Sequence, residues 1–186
     1  MIKIKQFLND VFLFQPQVFS DSRGHFFESF NLNQINKFGI IDNFVQDNHS
    51  YSKKNVLRGL HYQIINPQGK LVRCIRGRIL DCCVDLRPNS DTLGQWATFE
   101  LNSIEKTMVW IPPGFAHGFL NLTDECEILY KTTDFRYPEY ERTLNWNCPI
   151  LNINWGLDKK EIPILSEKDS KGNNFDVCVN ELKNLI

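Results

Sequence analysis

At 186 residues, with 42% hydrophobic side chains, the chain is long enough to bury a real core and fits one domain better than two small ones. Its 21 Lys and Arg against 22 Asp and Glu give a formal charge of -1, which removes any global electrostatic ground for binding nucleic acid or an anionic membrane. An anion site must therefore be local.

The opening MIKIKQFLNDVFLF carries two lysines, but Asn9 and Asp10 break its apolar run. It matches neither a secretory signal nor a spanning helix, and the protein is expected in the cytoplasm. From there strand patterns dominate: Val11 to Phe14, His25 to Phe30, Asn43 to Gln46, Asn55 to Gln63, Lys70 to Arg76, Arg78 to Arg87, Trp96 to Leu101, Thr107 to Ile111 and Glu127 to Thr133. The clearest lies after Ile79, where Leu80, Cys82, Val84 and Leu86 alternate with Asp81, Cys83, Asp85 and Arg87, the period of a strand with two unlike faces. Gly24, Gly69, Gly77, Gly94 and Gly114 punctuate these runs as turn formers, as does Asn89-Ser90-Asp91. Many short strands predict an all-β sandwich or barrel.

Helical patterns are few. Asn31 to Phe38 reads as a short helix capped by Asn31, and Asp176 to Ile186 as another. The stretch from Asn145 to Glu167 is rich in Pro, Asn and Trp, and Trp146, Ile153 and Trp155 need burial. A single domain over 1–186 is expected, with the segment from about 145 to 186 wrapping the barrel. Six cysteines, at 74, 82, 83, 126, 148 and 178, show no C-x-x-C pair and no framework spacing, so they are expected as reduced, buried thiols. Cys82 and Cys83 on a strand point to opposite faces and cannot share a metal.

The segment QDNHSYSKKNVLRGLHYQ, residues 46–63, concentrates Gln46, Asp47, Asn48, Arg58 and His61. A histidine with a cation and amides beside it suits a phosphorylated, hydroxyl-rich ligand, so this stretch reads as half of an active site. Further on, IPPGFAHGFLN resembles the second signature of the cupin superfamily, in which a Pro-Gly turn precedes an inward histidine, here His117. That resemblance implies a double-sheet jelly roll or β-barrel with a few short helices. The first cupin signature needs a His-x-His pair, whereas Gly59-Leu60-His61-Tyr62-Gln63 offers one histidine, and the chain has four in all, so a functional metal is not expected.

With those pieces in place the chain resembles the dTDP-4-dehydrorhamnose 3,5-epimerases, metal-free cupins acting on sugar nucleotides. The matching blocks are FSDSRGHFFESFN, QDNHSYSKKNVLRGLHYQ, QGKLVRCIRGRILDCCVDLR, GQWATFELN, VWIPPGFAHGFLNL, ILYKTTDF, the region from Trp146 to Trp155, and ILSEKD, covering roughly residues 10 to 170. The resemblance implies inversion of C3 and C5 in a 4-keto-6-deoxy sugar, dTDP-4-dehydro-6-deoxy-D-glucose giving dTDP-4-dehydro-L-rhamnose, a step of dTDP-L-rhamnose and polysaccharide biosynthesis. Such chemistry needs a base on one face, an acid on the other and a donor for the enolate oxygen, and no cofactor.

By resemblance His61 is the base, Tyr130 the proton donor, Lys70 the group near the keto oxygen, and Asp169 the carboxylate that orients His61. The residues alone leave Asp81 open as an alternative partner, because it sits on the polar face of its strand. Arg23, Glu28, Gln46, Asp47, Asn48, Arg58, His117, Glu141 and Lys168 match substrate-binding positions, with Arg23 and Arg58 expected on the diphosphate; a structural role for His117 is the alternative. The family usually has a base-stacking tyrosine two residues before Pro138, where this chain has Arg136. A guanidinium also stacks on a base, and Phe135 or Tyr137 are the other candidates; a different nucleotide or sugar stays open. The resemblance further implies a homodimer in which Arg23 and Glu28 of one chain complete the site of the other. Competing readings are a single-carbon epimerase or ketoisomerase on a related sugar, a metal-dependent cupin oxygenase, and a sugar-binding cupin without turnover.

Overall fold

The structure, a computed structural model, describes residues 1–158 and 161–185. Its strands are β1 (Ile2–Phe7), β2 (Val11–Gln15), β3 (Val18–Asp21), β4 (Gly24–Phe27), β5 (Gln46–Lys53), β6 (Leu57–Gln63), β7 (Lys70–Arg76), β8 (Arg78–Asp85), β9 (Trp96–Asn102), β10 (Met108–Ile111), β11 (Phe115–Asn121), β12 (Glu125–Thr132) and β13 (Glu141–Thr143). The helices are α1 (Leu32–Asn36), α2 (Glu167–Ser170) and α3 (Phe175–Lys183). Six strands form one antiparallel sheet in the order β1-β2-β10-β7-β12-β5, five form a second in the order β13-β6-β11-β8-β9, and β3 and β4 make a separate hairpin. This is a cupin-like jelly roll, all-β with few short helices, as the resemblance implied.

Three apolar clusters explain why the sheets face each other. Val72, Cys74, Val109, Ile111 and Ile128 of the first sheet meet Ile79, Cys83, Phe99, Leu101 and Phe119 of the second inside the barrel. The outer face of the second sheet, through Leu60, Cys82, Val84 and Leu86, packs on Cys148, Leu151, Trp155, Cys178 and Val179 from the C-terminal segment. Trp155 is buried there, while Trp146 and Ile153 are half-buried against the same cluster. Phe14, Leu71, Met108 and Trp110 on the outer face of the first sheet are covered by Ile35 of α1 and by Ile40. At about 25 cal/mol per Å² of apolar surface, burial on both faces of both sheets is the main force holding the barrel shut.

Strand β8 thus carries two buried faces: Cys82 and Val84 point outward to the C-terminal segment, and Asp81 and Cys83 inward. All six cysteines are free and buried. The expected strand over Asn43 to Gln46 is absent; the chain pairs only from Gln46, as β5 along the edge of the first sheet. Residues 46–53 lack apolar alternation because the positions that alternate toward the cavity, Gln46, Asn48 and Ser50, are themselves polar. Strand β11 carries no strand pattern in the sequence for the opposite reason, since every one of its residues is buried and it shows no alternation at all. Asn31 caps α1, its side chain accepting from Gln34 N at 3.2 Å. The second expected helix appears as α3, its last expected residue, Ile186, lying outside the described residues. Among the described residues no helix is long and apolar enough to cross a membrane.

Candidate active site

Strands β6 and β11 place His61 opposite His117. They come unusually close because Gly59 lies against Gly118: a Cβ at Gly59 would stand 2.6 Å from both Gly118 Cα and His117 O, at a φ of +110° that side chains rarely adopt. The pairing register shifts between His117 and Phe119 at this point. The two imidazoles thereby share one wall of a cavity of about 320 Å³ inside the barrel, which Arg58, Lys70, Tyr130 and Glu141 also line.

The His61 side chain is 29% exposed, and its Nε2 lies 2.5 Å from Asp169 Oδ1. A carboxylate oxygen accepts, so Nε2 carries the proton and Nδ1 is the basic nitrogen; Nδ1 stands 4.0 Å from Glu141 Oε1. Asp169 comes from α2, where Ser166 Oγ accepts from its backbone N–H at 3.1 Å. Burial pushes the Asp169 carboxyl up, but its contacts with His61 and Ser166 outweigh this and hold it below the usual value. Asp81, the alternative partner, is engaged by His117 instead, with His117 Nε2 2.8 Å from Asp81 Oδ2.

Lys70 opens β7, is 7% exposed, and donates from Nζ to His61 O at 3.1 Å. Burial lowers its pKa to about 8, against the opposing pull of Glu141 and Asp81. Tyr130 on β12 faces the cavity from the six-stranded sheet, as Lys70 does, whereas His61 and His117 belong to the five-stranded one. Burial, with Glu141 adding to it, raises the Tyr130 phenol, so it stays protonated at neutral pH. Glu141 on β13 binds Arg136 Nη2 at 2.7 Å and Lys168 Nζ at 3.0 Å. Burial raises its carboxyl, and these cations together with His61 bring it below the usual value.

The remaining candidates divide. Gln46, Asn48 and Arg58 line the cavity with His117, Arg136 and Glu141. Gln46 Nε2 donates to Asn48 Oδ1 at 2.8 Å, and Arg58 is held by Ser52 Oγ and Tyr51 O, each at 2.9 Å. Lys168 joins through Glu141. Three candidates lie elsewhere. Arg23 pairs with Asp21 at 2.7 Å with 88% of its side chain exposed, and Glu28 accepts from Asn31. Asp47 points to the other face of β5, where Lys131 binds it at 2.8 Å.

Two residues not singled out from the sequence also matter. Gln63 accepts from Tyr137 N at 2.7 Å and donates to Phe135 O at 3.3 Å, and Gln68 donates to Asp134 O at 2.8 Å, so both glutamines anchor the loop that carries Arg136. Gln63 was legible by period, lying two residues after His61 on one strand. Among the described residues no group of three or more His, Cys, Asp or Glu is placed to hold a metal ion.

A jelly roll with imidazole, ammonium and phenol groups around one interior cavity defines a cupin-type isomerase class. The family model described as dTDP-4-dehydrorhamnose 3,5-epimerase matches residues 5–176. A Pseudomonas aeruginosa protein of that name is 53% identical over 167 residues, spanning 89% of this chain and 91% of the relative. One from Methanothermobacter thermautotrophicus is 48% identical over 166 residues, spanning 89% and 90%. The crystal structure of a dTDP-6-deoxy-D-glucose-3,5-epimerase from Legionella pneumophila, in complex with dTDP-4-keto-L-rhamnose, superposes with a TM-score of 0.93 at 40% identity, covering 97% of this chain and 96% of that one. The chain belongs to the dTDP-4-dehydrorhamnose 3,5-epimerase family.

Proposed function

We propose that the protein converts dTDP-4-dehydro-6-deoxy-D-glucose to dTDP-4-dehydro-L-rhamnose by inverting C3 and C5 in turn. The observation that carries this reading is the split of the polar groups between the two sheets. His61, backed by Asp169, stands on one sheet, Tyr130 stands on the other, and Lys70 reaches across from the sheet of Tyr130 to set its ammonium beside the His61 backbone.

His61 removes the proton from a carbon beside the C4 ketone, and the electron pair of that C–H bond moves onto the carbonyl oxygen as an enolate. Lys70 stabilises the enolate by its charge, which is most effective inside a buried site. The Tyr130 hydroxyl then protonates the same carbon from the opposite face, and proton exchange with solvent resets both groups. The ketone is the electron sink, so the chemistry needs no cofactor. Asp169 orients the imidazole and stabilises its protonated form.

Gln46, Asn48, Arg58, His117, Glu141 and Lys168 are assigned to the sugar and diphosphate, and Arg136 to the base. Arg23, Glu28 and Asp47 lie away from this cavity. The exposed Arg23, together with Glu28, is assigned to the site of a second copy in a homodimer, where a guanidinium suits a diphosphate. The protein is placed in the cytoplasm, where nucleotide sugars are made, with no nucleic-acid or membrane partner.

The test is conversion of dTDP-4-dehydro-6-deoxy-D-glucose in deuterated water. Two deuterons, at inverted C3 and C5, are expected. One deuteron and one inversion would replace the reading with a single-carbon epimerase, and no exchange would overturn it.

A further inference from the structure

We propose that Asp81 is a positioning residue for the reaction: it locks the tautomer of His117 and supplies the buried counter-charge for Lys70. The inference deepens the proton-transfer reading above and rests on it for its catalytic consequence.

Asp81 sits on β8, is fully buried, and is not among the described residues that line the cavity. Its Oδ2 accepts from His117 Nε2 at 2.8 Å, and its Oδ1 is buried with no hydrogen-bond partner among the described residues. No lysine or arginine there forms an ion pair with it. A buried carboxylate left half unsatisfied is unfavourable unless a nearby positive charge compensates it. A neutral asparagine would hold His117 equally well, so the negative charge itself calls for a role.

Lys70 is the group that feels it. The titratable or charged groups that share the cavity with Lys70 include His61 and Arg58 on β6, His117 on β11, Tyr130 on β12, His49 on β5, Glu141 on β13 and Arg136 beyond Tyr130, with Asp81 behind His117. Its neighbour on β10 is the apolar Ile111. Two carboxylates in this set favour the ammonium, Glu141 and Asp81. Glu141 already binds both Arg136 and Lys168. Asp81 has no such cation, so its field is left to act on Lys70.

The same contact settles what His117 does. With Nε2–H donated to Asp81, His117 presents only the Nδ1 lone pair, an acceptor for a sugar hydroxyl. Burial, with the neighbouring charges of Lys70 and His61, favours its neutral form against Asp81's opposing pull. A neutral His117 leaves the enolate to Lys70.

The experiment reads Lys70 and His117 directly, without substrate. The Lys70 Cε carbon shift is followed by NMR against pH in the unsubstituted protein and in Asp81→Asn, with thermal melting to verify the fold. The Lys70 titration in the unsubstituted protein is expected near pH 8, and about a unit lower in Asp81→Asn, a roughly tenfold smaller protonated fraction on the alkaline side. The alkaline limb of kcat should move with it, while KM changes less than about threefold. An unmoved Lys70 titration in folded Asp81→Asn would overturn the proposal. If that variant does not fold, the unsubstituted protein decides: a proton on Nδ1 of His117 by its nitrogen-15 shifts, or a Lys70 titration well below pH 8, where burial without a counter-charge would leave it, overturns it equally. Inactivity toward dTDP-sugars with these spectroscopic results intact would overturn the reaction assignment and not the Asp81 coupling.

Discussion

His61 and His117 face each other on adjacent strands and each meets a carboxylate through Nε2, yet the two pairs are assembled differently. Asp81 reaches His117 from the neighbouring strand β8, within the frame of the sheet. Asp169 reaches His61 from α2, 108 residues along the chain. The His61 side chain is 29% exposed and the His117 side chain 7%. The difference teaches that a His–carboxylate couple takes its role from access. Where the ring is open to water it can take up and release a proton; where it is buried, burial favours the neutral ring and it serves as a fixed acceptor toward the cavity.

The comparison breaks most sharply at the exposed ring. His61→Ala should lower kcat by roughly 10²–10⁴-fold, the range of positioned acid–base catalysis, with the melting temperature little changed. A variant retaining a tenth of the rate would remove His61 from that role. Lys70→Met should cost about 10²–10³-fold in kcat and little in KM, because the enolate loses its charged donor while the ground state does not. The unsubstituted enzyme gives the same information by pH. Only the ammonium stabilises an enolate, so the Lys70 contribution to kcat should be full on the acid side of its pKa and be lost as pH rises through about 8.

Asp169→Asn sharpens the contrast with Asp81. It keeps the base but removes the charge that stabilises the imidazolium, and kcat should fall on the order of 10²-fold, without the shift in Lys70 titration expected of Asp81→Asn. Equal effects of the two substitutions on Lys70 would erase the distinction between the pairs. The smallest effect is expected at the rim: Arg136→Ala removes a guanidinium that is 58% exposed, and KM should rise about threefold with kcat unchanged, as measured by initial-rate kinetics.

How much of this was legible in the sequence follows from how local each feature is. The alternation in β8 was plain because its two faces meet different surroundings, and Gly59, Gly118 and both histidines lie in recognisable segments. Strand β5 was hidden because a polar cavity, not a core, sets its pattern, and α2 because four residues carry no periodicity. The choice between Asp81 and Asp169 was out of reach from local pattern. It depends on how the C-terminal segment packs over β6, a contact set by Leu144, Cys148, Leu151 and Trp155 rather than by any residue near His61. Arg23 and Glu28 show the limit on the other side, since matching a family position did not bring them into the cavity of their own chain.

The central claim is that base and acid act from opposite sheets, and Tyr130→Phe tests it most directly. The variant is incubated with dTDP-4-dehydro-6-deoxy-D-glucose in deuterated water, and deuterium uptake is compared with inversion at C3 and C5 by NMR. With His61 intact and the opposite-face donor gone, exchange should persist while inversion falls well below it. Loss of both in equal proportion, or full inversion without Tyr130, would contradict the two-sided arrangement.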